Sequence, residues 1–589
     1  MKFKKIVAML LSCSMIAAMV TGCGNSESSS EEKEASAVVE STEAAESVAA
    51  AETQAAETGS ESEEFDPRSI TEGVKLTIAI PDNTRIIDWN TNEETLMVEE
   101  KFGVDLEFIS FPAADFEQKI NVMIMGGDEL PDIIFNGSKS AADWSGWIAE
   151  EALLPLTEYY NDPNMASNIM EGSELTGIDM AAALTMADGE IYYFPAFGAS
   201  PNAEVYSRLW YYEPWLEAIG MDVPTTTEEF YEVCKKVSET DLNGNGKKDE
   251  IALGGDLLGG GDTDGWFTCL MSGFVYAHDK EYRIVEDGKV GYAYTTDEWK
   301  EGLKYIKRFF DEGLIPMETL TQSQDQWKAQ LAAEEQTVFC FNGWEPFSAT
   351  NKAYDWVVDN DCLMPLEGPE GEAYAMYRPG TPKIGAAITV DCENPEAAFL
   401  VCDYLCSEEM TITKRWGKRG ENWDYWDEAQ VENKEDYSAY DSTKDIYIIA
   451  YDDDSFWSGS EPTNVCYLGY GPGIYSDRVF GGRAVKTGNL TDDEALKLQF
   501  DNEVISAYTE LHNYSPAEVI DYAPLTTDEN QEISEIKANL ANYVNEMTGA
   551  FLTGNKDIDA DWDAYIQELE KIGYKTALEI YQVGYDRVH

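Results

Sequence analysis

Between residues 74 and 135 the apolar pattern keeps changing its period, and no other stretch limits the possible folds so strongly. Residues 74–80 are an apolar run that ends at Pro81-Asp82. Residues 94–102 have helical periodicity, and residues 104–109 alternate like a second strand. Residues 116–125 read as an amphipathic helix stopped by Gly126-Gly127, and Pro131-Asp132-Ile133-Ile134-Phe135 is a third strand. Strands that alternate with helices over short connections predict a parallel sheet covered by helices. Ligands of such sheets gather at the carboxyl ends of the strands, which makes Asp82, Phe135 and Asn136 candidate contacts.

The pattern continues as α/β. Residues 189–195 read as a strand pair leading into a crossing, and residues 212–220 as a helix ended by Gly220. Thr225-Thr226-Thr227 caps another helix, with Glu228 and Glu229 in its first turn and Phe230, Val233 and Val237 along one face. Residues 288–292 are a short strand, and residues 296–312 a helix with Leu303, Ile306 and Phe310 inward. The apolar 339–341 stretch turns through Asn342-Gly343-Trp344, and residues 395–407 are helical. Ile533, Ile536, Leu540, Val544, Met547 and Phe551 share one face of a long helix over 527–552. A chain of 589 residues exceeds what one core supports, so two lobes are expected.

The first 65 residues belong to neither lobe. Lys2, Lys4 and Lys5 precede an uncharged apolar stretch over 6–20, followed by Thr21-Gly22-Cys23. This is a signal peptide pattern, too short for a comfortable permanent span. The cysteine directly after the small residues resembles the bacterial lipobox, which implies cleavage after residue 22 and a diacylglycerol on Cys23. Residues 24–65 hold twelve Glu and one Lys among Ser and Ala, a composition that stays disordered and self-repelling. As a coil the segment spans about 35 Å, enough to hold a globular body off a membrane.

The net charge of −71 excludes nucleic acid as a partner, because phosphates are repelled, and favours neutral or cationic ligands. Besides Cys13 and Cys23, the cysteines are Cys234, Cys269, Cys340, Cys362, Cys392, Cys402, Cys406 and Cys466. None has C-x-x-C spacing, and mostly free core thiols are expected.

Asp241-Leu242-Asn243-Gly244-Asn245-Gly246-Lys247-Lys248-Asp249-Glu250 has the layout of a calcium loop. Oxygen donors stand at positions one, three and five, Gly246 allows the sharp turn, and Lys247 offers its backbone carbonyl. Ala252 at position twelve departs from the EF-hand pattern, which leaves Asp249 and Glu250 to close the loop. Such an ion would be structural.

The residues around this loop carry a resemblance. Trp215-Leu216-Glu217-Ala218-Ile219-Gly220, Val223-Pro224-Thr225-Thr226-Thr227-Glu228-Glu229-Phe230, and the loop with Glu250-Ile251 after it are similar to family 1 extracellular solute-binding proteins. Within them the similarity is to the large lipoprotein branch that includes alginate-oligosaccharide binders. Leu130-Pro131-Asp132-Ile133-Ile134, residues 302–315 and Trp562-Asp563-Ala564-Tyr565 with Gly573 and Tyr581 fit too, so the resemblance spans about 70–589. Many relatives carry Arg and Asp shortly before the tryptophan matching Trp215; Tyr212 and Pro214 stand there here.

The resemblance implies an α/β, type II periplasmic-binding-protein-like fold with a ligand cleft between two lobes joined by crossing segments. The expected division is residues 66–195 with about 345–425, against 196–344 with about 426–589. It further implies a monomer on the outer face of the membrane that delivers a carbohydrate to an ABC importer of two permease subunits and an ATPase. Calcium would be held by Asp241, Asn243, Asn245, the Lys247 carbonyl, Asp249 and Glu250.

Sugars stack their C–H faces on aromatic rings and bond their hydroxyls to carboxylates and amides. Phe135 with Asn136, Trp210, Trp266, Trp344, Trp423 and Tyr470 sit in Gly-rich or loop contexts and are the aromatic candidates. Lys414-Arg415-Trp416-Gly417-Lys418-Arg419 reads as a solvated basic helix end. Two rival classes are a glycoside hydrolase and a surface glycan-binding adhesin. The hydrolase lacks a singled-out carboxylate pair, and His278, His512 and His589 are isolated. No G-x-S-x-G, H-E-x-x-H or P-loop occurs.

Overall fold

The computed structural model describes residues 65–139, 146–198, 200–255, 265–276, 281–346, 350, 352–441, 443–449, 462–520 and 523–589. The leader, Cys23 and the acidic segment to residue 64 lie outside the described residues. The elements below belong to the unit Phe65–His589.

The strands in chain order are β1 (Lys75–Pro81), β2 (Asp105–Phe111), β3 (Ile133–Lys139), β4 (Phe194–Gly198), β5 (Arg208–Tyr212), β6 (Ile251–Gly254), β7 (Arg283–Glu286) and β8 (Lys289–Tyr292). There follow β9 (Val338–Gly343), β10 (Asn360–Leu363), β11 (Lys383–Ile388), β12 (Trp423–Tyr425), β13 (Tyr437–Tyr440), β14 (Ile446–Ile448), β15 (Gly473–Tyr475) and β16 (Arg483–Lys486).

The first sheet has the order β15-β4-β11-β3-β1-β2. β1 runs parallel to both β2 and β3, as the alternating pattern predicts, and Glu93–Phe102 and Phe116–Gly126 are the two helices between them. β11 inserts antiparallel between β3 and β4. Leu76, Ile78, Ile133, Phe135, Ala386 and Ile388 fill its main core together with Phe399, Val401 and Cys402 of the Pro395–Leu405 helix.

A second sheet, β10-β5-β9-β6, carries the other large core. The helix Thr227–Ser238 packs there through Phe230, Val233 and Val237, and Thr226 with Glu229 closes a capping box at its start. Asp297–Asp311 and Thr527–Leu552 add Leu303, Ile306, Phe309, Ile533, Leu540 and Phe551 to the same core. A third, smaller sheet is ordered β12-β14-β16-β13.

The chain passes between the two large sheets three times. Residues 198–208 connect β4 to β5, and residues 363–383 connect β10 to β11. After β15 and β16 the chain enters the helix Asp492–Leu511, whose Phe500, Val504, Tyr508 and Leu511 pack with Trp210 and Phe341 of the second sheet. Crossings of this kind are where two bodies hinge.

The sheets move two of the expected boundaries. β10 pairs with β5, so this part of 345–425 lies in the second sheet. β15 pairs with β4, and Cys466 and Tyr467 lie in the first core, so this part of 426–589 returns to the first. Both are long-range strand pairings with no local signal.

Gly385 sits at the irregularity where β11 meets β3 and β4. A Cβ there would stand 2.6 Å from the Pro472 Cα and 2.7 Å from the Pro195 carbonyl oxygen, both backbone atoms that cannot turn aside. Gly385→Ala is expected to cost about 1–3 kcal/mol, read as a lower denaturation midpoint in urea. An unchanged midpoint would show that β11 and the 472 segment are not held this closely.

The eight described cysteines are free thiols, six of them buried and Cys269 and Cys362 half-buried. Among the described residues no helix is long and apolar enough to cross a membrane.

Candidate ligand cleft and metal loop

The aromatic candidates separate by burial. Phe135, Trp210, Trp266 and Trp423 are core residues with no face open to a ligand, which corrects their assignment as contacts. Phe135 packs against Phe108 at 6.0 Å between ring centroids and lies under Gly471. Trp210 donates its indole N–H to the Gly343 carbonyl at 3.1 Å, and Trp423 to the Gly417 carbonyl at 2.7 Å. Trp266 is wholly buried beside Phe310. Asn136 lies in β3, and its side chain falls outside the described set.

Asp82, Trp344 and Tyr470 remain accessible to different degrees. Asp82 is exposed just past the end of β1, its N–H bonded to the Phe111 carbonyl. Tyr470 is half-buried with its ring edge-on to Trp89 at 5.7 Å. Trp344 is half-buried immediately after β9, at the edge of the first crossing.

Sequence reasoning missed the residues that surround Trp344. Arg208, at the start of β5, is buried with its guanidinium centred 5.9 Å from the Trp344 ring. It is held in place by donating to the Val205 and Asn202 carbonyls and to the Asn202 side chain. Burial lowers the pKa of this guanidinium. Tyr206 lies 6.3 Å from Trp344 between centroids, and Arg378 of the second crossing stands 5.4 Å from the Tyr206 ring. The Arg378 N–H reaches the Glu204 carbonyl, and the Glu204 carboxylate faces His512 Nε2 at 3.0 Å. That hydrogen bond raises the His512 pKa against the lowering effect of burial. Residues from all three crossings therefore meet in one place. Their sequence positions span more than three hundred residues, so no local motif announces them. Over the buried Arg208 and Tyr206, the half-buried Trp344, Arg378, Glu204 and His512 offer an aromatic face, a cation, a carboxylate and an imidazole, equipment for holding a polyhydroxylated ligand.

The basic run at 414–419 is corrected in part. Lys418 and Arg419 are solvated and pair with Glu421, Asp424 and Glu428. Lys414 is wholly buried and donates to the Leu405 and Pro472 carbonyls.

The loop between the Thr227–Ser238 helix and β6 is tightly wound. Asp241 accepts the Gly246 N–H at 2.9 Å, Asn243 the Asn245 N–H at 3.0 Å, and Asn245 the Lys247 N–H at 2.8 Å. Gly244 and Gly246 take positive φ of 74° and 84°, the turns the spacing required. The amide groups of Asn243 and Asn245 converge on Asp249, and the Lys247 ammonium lies 3.9 Å from it. Glu250 Oε1 accepts the Leu242 and Asn243 N–H groups, whereas its buried Oε2 has no hydrogen-bond partner. Among the described residues no three His, Cys, Asp or Glu side chains form a metal cage. The oxygen-only donor set and the orphaned Glu250 oxygen nevertheless suit a hard divalent cation.

Comparison with known proteins places this architecture. Residues 94–412, more than half of the chain, match the family model described as bacterial extracellular solute-binding protein. The fructooligosaccharide ABC transporter substrate-binding protein FusA of Streptococcus pneumoniae is 26% identical over 514 residues, covering 84% of this chain and 87% of the relative. Its structure in complex with kestose superposes with a TM-score of 0.64 at 24% identity, over 87% of this chain and 99% of that one. A further structure of FusA is of an EF-hand mutant. An extracellular solute-binding protein of Bifidobacterium longum subsp. infantis reaches a TM-score of 0.70 at 20% identity, over 88% of this chain and 98% of that one. The alginate-binding protein AlgQ2, solved without calcium ion, reaches 0.59 at 19% identity, over 88% of this chain and 98% of that one. The fold is the two-domain, periplasmic-binding-protein-like one expected from the sequence.

Proposed function

Since the chain belongs to the bacterial extracellular solute-binding protein family, we propose that it captures an oligosaccharide at the three crossings and hands it to an ABC importer. The observation that carries this reading is the meeting of the crossings beside Trp344: Arg208 and Tyr206 of the first crossing stand next to its half-buried indole, Arg378 of the second lies over Tyr206, and His512 of the third meets Glu204. The family relative FusA, named for fructooligosaccharide, supports the ligand class.

The protein performs no chemistry on its ligand. It binds, closes and releases. A ligand that touches both bodies favours the closed arrangement by its differential contacts, and the closed form docks on the permease subunits. Asp82, just past β1, and Tyr470, just ahead of β15, are the contacts proposed from the first body. Cys23, with its lipid, anchors the chain outside the membrane, where two acyl chains give a stable hold. A relative named as a lipoprotein, LipO of Bacillus subtilis, supports this location.

In the metal loop, Asp241, Asn243, Asn245, Lys247 through its carbonyl, Asp249 and Glu250 would hold calcium. The ion would neutralise the carboxylates and brace the turn between the helix and β6. Asn243 and Asn245 already tie this loop to Gln336 and Glu335 ahead of β9, so bracing it steadies the strand that leads into Trp344.

A thermal-shift screen with neutral and uronate-bearing oligosaccharides tests the ligand class: at least one member is expected to raise the melting temperature, and none is expected to be hydrolysed. Trp344→Ala is expected to weaken binding of that sugar at least about tenfold by calorimetry, or about 1.4 kcal/mol. Full affinity in the variant would remove Trp344 from the site.

A further inference from the structure

One cavity is lined by none of the residues around Trp344. It lies where the third sheet faces the amino-terminal half of the Asp492–Leu511 helix, and encloses about 110 Å³. We propose that it is a second carbohydrate subsite, holding one neutral ring of an oligosaccharide whose remainder lies at the crossings. This rests on the ligand class proposed above.

The lining has the chemistry of a sugar site. Tyr437, Tyr440 and Tyr447 of the third sheet are half-buried and present rings to the cavity, with Trp416 beneath them. The Arg483 guanidinium is fixed 4.3 Å from the Tyr440 ring centre and 5.5 Å from that of Trp416. The helix supplies Glu494, Lys497 and Asp501, with Lys497 and Asp501 paired at 3.5 Å. Aromatic faces with carboxylate and cation edges around them match the apolar faces and hydroxyl rim of a sugar ring. The cations and carboxylates are close to balance, which favours an uncharged ring. Sites that enclose whole ligands measure about 300–1,000 Å³, so this one holds a single unit.

Its position links it to the cleft. The helix that forms one wall ends at Leu511, and the next residue, His512, meets Glu204 at the crossing. Asp501 and His512 are separated along that helix by about 16 Å of rise, a short oligosaccharide's reach. Tyr508, buried on the same helix between the two places, lies beside Asp441, the neighbour of Tyr440. The two walls also belong to different bodies. Ile412 and Trp416, on the Glu408–Trp416 helix that packs on β15 of the first sheet, share a core with the third sheet; the Asp492–Leu511 helix packs on the second. A ring bound here would hold both bodies together.

Calorimetry on the full chain with a ladder of inulin-derived fructans of two to five units is the test. Tyr447→Ala is expected to weaken the longest fructan at least tenfold and the shortest less than twofold, while Trp344→Ala weakens all. Tyr447→Phe keeps the ring and is expected to retain near-native affinity, which separates loss of stacking from misfolding. Equal affinities of native protein and Tyr447→Ala at every length would overturn the subsite and leave the proposed function standing. Failure of the native protein to bind any oligosaccharide, fructan or other, would overturn the proposed function and the subsite with it. Length-dependent loss confined to uronate-bearing chains would overturn the neutral ring.

Discussion

Lys414→Met is expected to lower the stability of the fold by about 3–5 kcal/mol at pH 8, and by less at pH 5. Lys414 and Glu94 are both wholly buried in the first body. The Lys414 ammonium donates to the Leu405 and Pro472 carbonyls, and one Glu94 oxygen accepts the Tyr467 N–H at 2.9 Å. The other Glu94 oxygen has no hydrogen-bond partner. Burial pushes the Glu94 carboxyl up to about 8 against the pull of the Lys414 charge, and burial lowers Lys414 against the pull of Glu94.

The direction with pH follows from these shifts. The folded pKa of Glu94 lies above its usual carboxylate value, so its contribution to stability is complete at acid pH and is lost as pH rises through about 8. Removing Lys414 takes away the charge that holds the carboxyl down and raises it further. Keeping the stranded carboxyl protonated costs the variant little at pH 5, close to the ordinary carboxylate value, and much more at pH 8, where the unfolded chain holds it ionised. Urea midpoints of native protein and variant at both values check this, with a wider gap at pH 8 expected. A gap of equal size at both, or none, would contradict the pairing. The pair matters beyond stability, because it lies where Asn92, Glu94 and Thr95 clasp the 464–467 segment that leads to Tyr470.

Chelation of calcium carries the second large effect. A site filled at one hundred times its dissociation constant stabilises the native state by about 2.7 kcal/mol, and stripping it removes that amount. EDTA is therefore expected to lower the melting temperature, and added calcium to restore it. Glu250→Gln keeps an oxygen that can accept the Leu242 and Asn243 N–H groups but removes the charge beside the orphaned position. The variant is expected to melt where the chelated native protein does and to ignore calcium. Identical melting of native protein in EDTA and in calcium would exclude the metal loop.

How much of this was legible in the sequence depended on the range of the interaction. The strand–helix alternation over 74–135 is local, and it gave the parallel arrangement of β1, β2 and β3 correctly. The capping box at Thr226 and Glu229 and the Asx turns of the 241–250 loop are local too. The returns of β10 and β15 to sheets built far away in sequence depend on pairings that no short window contains. The aromatic candidates failed for a more specific reason. A glycine neighbourhood suggested an open loop, yet the carbonyls of Gly343 and Gly417 are what satisfy the buried indoles of Trp210 and Trp423. Lys414 looked solvated because its neighbours are charged, whereas it is buried on the Leu405 and Pro472 carbonyls and feels the charge of Glu94, more than three hundred residues earlier. Tyr206, Arg208, Arg378 and His512 each look ordinary alone, and only the crossings bring them together.

The central claim is that a saccharide draws two bodies together about the three crossings. Small-angle scattering on the full chain tests it, with and without a saturating oligosaccharide whose binding calorimetry has established. The account predicts a smaller radius of gyration with the sugar, and the same shift absent when a non-binding sugar is added. An unchanged radius in the presence of bound oligosaccharide would contradict it.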